Sequence, residues 1–324
     1  MSPIDTIKQP VAQELKVFES YFKKSLKSKV PLLDIITNYI LRRKGKQMRP
    51  MFVFLTARMF GEIKEATYVA ATLIELLHTA TLVHDDVVDN SKIRRGFFSI
   101  NALWKSKIAV LTGDYLLSKG LITATENKQY ELLEIVSEAV KEMAEGELLQ
   151  IEKARKLDIS EEAYFDIIQK KTATLIASCT AAGAKSAGAD DTAVKNMKEF
   201  GMMAGIAFQI KDDLFDYNSN NKTGKPAGND IREKKMTLPL IFALQNSSKK
   251  ERRKIIKKVK KKKKSPHDIK TVVDFVNDKG GIDYARKIML EYRDKSEKIL
   301  EEFDPSDANK SLKSLLYYVT ERKK

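Results

Sequence analysis

The sequence predicts an all-α protein, a single large bundle of ten or more helices. Three observations predict it. Apolar residues recur at three- and four-residue spacing along nearly the whole chain, the period of one helix face. Alternating apolar and polar runs, the mark of a half-buried strand, are scarce. Helix-stopping residues punctuate the chain at Pro31, Gly61, Gly96, Gly183 to Gly188, Asn218 to Gly228, Pro266, Gly280-Gly281 and Pro305.

Taken in order, the opening MSPIDTIKQPVAQELK lacks the apolar stretch of a signal peptide. Met51-Phe52-Val53-Phe54-Leu55 alone would pass for a strand, but it continues with helical spacing to Phe60. This is the richest apolar run. Arg58 interrupts it, and no run approaches the about 18 residues of a membrane span. Ala70-Ala71-Leu73-Ile74-Leu77 and Leu132-Leu133-Ile135-Val136-Val140-Met143 read as helices. Lys171-Thr172 opens a small-residue helix that stops within Gly183 to Gly188. The lysine-rich stretch 249–264 lies between helical segments and reads as a helix end followed by a solvated loop. No repeat of fixed period and no linker divides the chain, so 1–324 reads as one domain.

With 324 residues, 43% of them apolar and 32% charged, the chain has an ordinary globular composition. A chain of this length buries roughly three quarters of its unfolded surface without staples. Cys179 is the sole cysteine, which excludes an intrachain disulfide and fits a reducing, cytoplasmic setting. The net charge of +15 is local in origin. Twelve of the residues from Lys249 to Lys264 are Lys or Arg against one Glu, a contribution of +11. A globally basic face, and with it a nucleic-acid partner, is not implied. The run lacks interleaved aromatics and a reading motif. Attraction to anionic lipid is the better fit for it.

The chemistry sits in two acidic clusters. Thr81-Leu82-Val83-His84-Asp85-Asp86-Val87-Val88-Asp89 places aspartates at the end of an apolar helix, with Asp85 and Asp89 one turn apart on one face. A second copy, Gln209-Ile210-Lys211-Asp212-Asp213-Leu214-Phe215-Asp216, repeats the pattern with Asp212 and Asp216. Either cluster alone reads as a solvated acidic patch. Two in equally apolar contexts do not, because unpaired carboxylates are costly near a core and like charges one turn apart repel. Hard divalent cations relieve both costs, and Mg²⁺ favours a few carboxylates plus phosphate oxygens and water. Three His and one Cys make a zinc site a poor fit. A diphosphate also needs cations. Gly45-Lys46-Gln47-Met48-Arg49-Pro50 puts Lys46 and Arg49 at a helix start, Arg94 and Arg95 trail the first acidic cluster, and Lys225 and Lys235 follow the second. His78 lies two turns before Asp85 and by itself reads as a core residue.

In identity, order and spacing these segments resemble the trans-isoprenyl diphosphate synthase (polyprenyl synthetase) family. GKQMRP is similar to that family's first basic motif, DDVVDNSKIRRG to its first aspartate-rich motif, QIKDDLFDY to its second, and TGKPAGNDIREKKMTLP to the lysine segment after it. The match runs from about residue 40 to 240. The resemblance implies a helical bundle around a central cavity, a homodimer, and three Mg²⁺ held by Asp85, Asp89 and Asp212, with Asp86, Asp213 and Asp216 close by. It implies that Arg94, Lys171, Thr172, Gln209, Lys225 and Lys235 contact an allylic diphosphate. Lys46, Arg49, His78 and Arg95 would hold isopentenyl diphosphate.

The implied reaction ionises the allylic C–O bond, captures the carbocation with the double bond of isopentenyl diphosphate and loses a proton. Short-chain members usually carry an aromatic floor four or five residues before the first aspartate. Ala80 and Thr81 stand there, so a long product of heptaprenyl to nonaprenyl size, of the kind used for quinone side chains, is expected from a farnesyl primer. Close helix packing is the other reading of two small residues. Gly146-Glu147-Leu148-Leu149-Gln150 is also similar to long-chain members. A short-chain synthase, a silent partner subunit and a terpene cyclase are the competing readings. The second aspartate motif and GKQMR argue against the cyclase, and the six intact aspartates argue against a silent subunit.

Overall fold

The helical periodicity is realised along almost the whole chain. The computed structural model describes residues 2–42, 45–94, 96–156, 159–217 and 228–321. In chain order its elements are α1 (Pro3–Lys8), a 3-10 turn, α2 (Ala12–Ser25), α3 (Pro31–Leu41), α4 (Met48–Phe60), α5 (Glu65–Val88), the hairpin β1 (Ile93–Arg94) and β2 (Phe97–Phe98), and α6 (Ile100–Glu126). Then come α7 (Tyr130–Lys156), α8 (Glu161–Ile168), a π-helical segment (Gln169–Ala173), α9 (Thr174–Ala187) and α10 (Asp191–Phe215). The last part holds α11 (Asn229–Arg232), α12 (Leu238–Gln245), α13 (Lys249–Lys260), α14 (Pro266–Asp278), α15 (Gly281–Glu301) and α16 (Asp307–Glu321). The all-α expectation holds, and among the described residues the only sheet is the two-stranded hairpin. The chain divides into two compact units, Met1–Val140 with Ser178–Lys198 and Asp304–Leu312, and Lys141–Ala177 with Glu199–Phe303 and Lys313–Lys324.

In the first unit α4 and α5 form the interior. Every residue of α4 from Pro50 to Ala57 is buried, as a helix that is apolar all round requires. Phe54 meets Phe18 and Tyr68 edge-on, with ring centroids 5.8 and 5.2 Å apart. α5, not the run around Met51, is the one described helix long and apolar enough to cross a membrane. Its apolar window is 61% buried inside the protein, so that length serves the core. Gly183 does not stop a helix. A Cβ there would lie 2.5 Å from the Val53 carbonyl oxygen, so glycine lets α9 run close against α4. The helix ends at Gly188, within the expected stretch, where the chain adopts a φ of +94°.

The second unit buries Ile206, Ile210, Leu240, Val272, Ala285 and Met289 in one core. The lysine-rich stretch forms a helix over Lys249–Lys260 and an irregular segment at 261–264, a helix followed by a loop as the sequence suggests. Ser248 and Glu251 make reciprocal capping bonds at the start of α13, with Ser248 N–H donating to Glu251 Oε2 at 2.9 Å. Ile255 and Val259 anchor the helix in the core. Asp268, buried at the start of α14, accepts from Lys258 Nζ at 2.8 Å and Lys261 Nζ at 2.9 Å.

Candidate active site

In the first unit α5 carries the first acidic motif through its last turn. Asp85 is half-buried and Asp89, the C-cap, is exposed, while Asp86 points inward and is buried. The C-terminal end of a helix carries partial negative charge, and no basic residue lies in the last turn of α5. Two acids one turn apart at that end concentrate negative charge, which a hard divalent cation would offset. Asp86 answers the problem differently, accepting from Arg94 Nε at 2.7 Å. Arg94 reaches back because the hairpin pairs it with Phe97, and Gly96 supplies the turn with a φ of +80°.

The basic motif precedes α4. Lys46 is exposed just before the helix and Gln47 takes a left-handed N-cap conformation, φ 55°. Arg49 in the first turn forms a two-pronged pair with Glu75, Nε–Oε1 2.7 Å and Nη2–Oε2 3.2 Å. Arg49, Glu75, Asp86 and Arg94 line one cavity of about 180 Å³, together with apolar Phe18, Phe22, Ile40 and Leu82. The structure thus brings together Arg49, Asp86 and Arg94 from the sequence expectation. Asp85, Asp89, Lys46, His78 and Thr81 do not line this cavity. Ala80 is fully buried against Leu26, Leu76 and Leu116, so its smallness serves close packing. Thr81 is half-buried on the Asp85 face and donates its hydroxyl to the His78 carbonyl at 2.8 Å.

In the second unit the π-helical segment presents Lys171 and Thr172. It is held between two glycines. A Cβ at Gly146 of α7 would lie 2.8 Å from the Lys171 nitrogen, and one at Gly205 of α10 would lie 2.5 Å from the Ala173 Cα. Widened π turns often mark functional sites, and here the widening projects a chain of bonds. Thr172 donates to Gln209 Oε1 at 2.9 Å, Gln209 donates to Asp213 Oδ1 at 2.9 Å, and Tyr164 donates to Asp213 Oδ2 at 2.7 Å. Burial, then the nearby Asp230 charge, pushes Asp213 up to about 7 despite these donors. Asp216 accepts from the Asn229 and Asp230 backbone at 2.7 and 3.0 Å, and burial still lifts it to about 6. Asp212 is half-buried one turn before Asp216. These acids again stand at the C-terminal end of a long helix, α10, with no basic residue in its last turn.

Lys171 pairs with Glu147 and donates to Gln150 Oε1 at 3.3 Å. Lys235 pairs with Glu233 at 2.7 Å. Lys225 and Arg95 lie outside the described residues. Four cations of the expected site, Arg49, Arg94, Lys171 and Lys235, are therefore each neutralised by a carboxylate of their own unit. Sequence reasoning missed Glu75, Tyr164 and the partnership of Glu147 with Lys171. Glu75 had a signal, being the one acid within the apolar run of α5 before Asp85. Among the described residues no three His, Cys, Asp or Glu side chains converge as a closed metal cage. The acids at the two negative helix ends are hard oxygen donors and fit Mg²⁺, which takes few protein ligands and completes its shell with phosphate and water.

Residues 30–276 match the family model for polyprenyl synthetase. The chain belongs to the polyprenyl synthetase family. It is therefore a prenyltransferase. It is 36% identical over 316 residues to the all-trans-nonaprenyl-diphosphate synthase (geranyl-diphosphate specific) of Rhodobacter capsulatus, covering 97% of this chain and 96% of that one. A crystal structure of a decaprenyl diphosphate synthase from Rhodobacter capsulatus superposes with a TM-score of 0.93 at 32% identity, covering 99% of each chain. A geranylgeranyl pyrophosphate synthase from Bacteroides thetaiotaomicron superposes at 0.85 with 39% identity, over 99% of this chain and 100% of that one. The all-α polyprenyl synthetase fold is thus shared along the full length. The family match runs through residues of both units.

Proposed function

We propose that this polyprenyl synthetase joins isopentenyl diphosphate head-to-tail to an allylic diphosphate, farnesyl diphosphate by preference, and makes a long-chain all-trans-polyprenyl diphosphate for a quinone side chain. The observation that carries the reading is the placement of both aspartate motifs at the negative C-terminal ends of long helices, where they gather the hard oxygen donors that Mg²⁺ takes. The full-length similarity to nonaprenyl and decaprenyl synthases supports a long product.

Asp85, Asp89 and Asp212 are the Mg²⁺ ligands of this reading, with Asp86, Asp213 and Asp216 oriented behind them by Arg94, Tyr164, Gln209 and backbone N–H groups. Mg²⁺, when bound, neutralises the departing pyrophosphate. Arg94, Lys171, Thr172, Gln209, Lys225 and Lys235 bind the allylic diphosphate. Lys46, Arg49, His78 and Arg95 bind isopentenyl diphosphate. The carboxylates now pairing Arg49, Arg94, Lys171 and Lys235 hold these cations aimed and charge-balanced until a diphosphate shares them. The allylic C–O bond breaks with its electron pair leaving on pyrophosphate. The isopentenyl double bond supplies the pair for the new C–C bond, and a proton leaves the adjoining carbon, with pyrophosphate as the base. No side chain acts as nucleophile, so the protein's work is orientation, charge and exclusion of water.

The reading includes one domain spanning 1–324, a cytoplasmic location, a homodimer, and transient membrane contact as the apolar product leaves. Val110, Leu111, Leu121 and Ile122, exposed along α6, support the homodimer as an apolar face that a second copy covers. One observation favours a second reading. The geranylgeranyl synthase from Bacteroides thetaiotaomicron is more identical than the decaprenyl synthase, which points to a shorter product. Incubation with Mg²⁺, labelled isopentenyl diphosphate and farnesyl diphosphate, followed by chromatography of the dephosphorylated products, separates the two. A ladder ending at seven to nine units supports the long-chain reading. Products stopping at four units move the protein to the short-chain reading, and no elongation from any allylic primer removes both.

A further inference from the structure

The lysine-rich helix α13 sorts its charges. Its core side is closed: Ile255 and Val259 are buried, Lys258 and Lys261 grip Asp268, and Glu251 is taken by the helix cap and by Lys279 at 2.9 Å. The opposite side holds Lys249, Lys250, Arg253, Lys254, Lys257 and Lys260, all exposed. At 100° per residue these six fall within one stripe facing directly away from Ile255 and Val259. Like charges three and four residues apart repel and weaken a helix. The fold holds this helix together nonetheless, with a capping box, a two-residue apolar anchor and the Asp268 clamp. The rest of the chain contributes little net charge, so the stripe is a local feature and not a general device for solubility.

We propose that the outward face of α13 docks on an anionic membrane surface. The choice of a lipid surface rests on the proposed long-chain product, whose apolar tail must end in a bilayer. A straight, single-sided stripe of cations fits a planar array of phosphate headgroups. The apolar side of α13 is spent on the core, so the helix cannot insert, and the contact is electrostatic and reversible. Residues 249–264 include no aromatic side chain on which a base would stack, which disfavours a single-stranded nucleic acid as the occupant.

The test is sedimentation of the full chain with vesicles of phosphatidylcholine alone and of phosphatidylcholine with phosphatidylglycerol in equal parts. The chain should pellet only with the anionic vesicles and be released by added salt. The variant Lys250→Glu, Arg253→Glu, Lys254→Glu and Lys257→Glu should lose at least about tenfold in partition, because each cation near an anionic leaflet adds to the attraction. It retains Lys258, Lys261 and the cap, so its circular dichroism should stay helical. The same four positions changed to Gln should lose less, which guards against a folding artefact. Unchanged pelleting of the Glu variant, equal pelleting with neutral vesicles, or a preference for polyuridylate over anionic vesicles at physiological salt would each overturn the proposal. Chain elongation measured on the wild type separates the two readings. Elongation without vesicle binding removes the docking surface alone, and vesicle binding without elongation removes the enzymatic reading alone.

Discussion

Tyr164 donates its hydroxyl to Asp213 Oδ2 at 2.7 Å, and both side chains are buried. The two residues lie 49 positions apart and meet because α8 packs in the same core as α10. A carboxylate turned into a helical core needs donors, and Asp213 has two, Tyr164 on one oxygen and Gln209 on the other.

Tyr164→Phe should therefore destabilise the protein by about 1–3 kcal/mol, the cost of leaving a buried acceptor without its donor. Urea unfolding measures it. The Mg²⁺ concentration for half-maximal elongation should rise as well, because Asp213 stands beside Asp212. A variant that loses stability at an unchanged Mg²⁺ requirement would make Tyr164 purely structural.

Asp213 at about 7 and Asp216 at about 6 are both raised above the ordinary carboxylate value of 3.8. A raised carboxyl pKa means the folded state binds the proton more tightly than the unfolded state. The stabilisation from that proton is full below the unfolded pKa and disappears as pH climbs through the folded one. With metal chelated, these two groups should make the protein lose thermal stability between about pH 4 and pH 7. Added Mg²⁺ binds only the ionised acids and stabilises by mass action, so its shift of Tm should be larger at pH 8 than at pH 5. An equal shift at both would deny these acids a part in metal binding.

Gly146 and Gly205 leave no room for a methyl group beside the π-helical segment. Gly205→Ala would place its Cβ 2.5 Å from the Ala173 Cα, and Gly146→Ala 2.8 Å from the Lys171 nitrogen. Both contacts are with backbone, which cannot rotate away as a side chain does. Each substitution should cost about 1–3 kcal/mol by overpacking and lower turnover with allylic diphosphate by shifting Lys171 and Thr172. Wild-type elongation by the two variants would show that the segment tolerates displacement.

What was legible in the sequence followed from local patterns. Aspartates closing an apolar helix were readable at Asp85 and Asp212 because both signals lie within two helical turns. The partnerships were not, since Arg49 finds Glu75 26 residues away and Tyr164 finds Asp213 49 away. The stop within Gly183 to Gly188 was legible, but which glycine makes it was not, because a glycine that ends a helix and one that admits a neighbouring backbone look alike in one dimension. The lysine-rich stretch was legible as a helix end and a loop, but the three-turn length of the helix was not, because its own charges repel. The Ser248–Glu251 capping signature was present in the sequence and outweighs that repulsion once Ile255 and Val259 find a core.

The last prediction concerns product length, where Ala80 and Thr81 entered as equals and the structure parts them. Ala80 is wholly enclosed by Leu26, Leu76 and Leu116. An aromatic ring there has no space to enter, so Ala80→Phe should destabilise the protein by about 1–3 kcal/mol or more through overpacking, and its activity loss should follow its instability. Thr81 is half-buried and lies on the same side of α5 as Asp85, one turn away. A ring at that position projects toward the side from which an allylic chain would grow. Thr81→Phe should therefore leave the melting temperature within a few degrees of the wild type and shorten the products toward four units or fewer. Chromatography of the dephosphorylated products reads both variants in one experiment. Shortening by Ala80→Phe with full stability, or an unaltered ladder from Thr81→Phe, would place the product chain along a different face of α5.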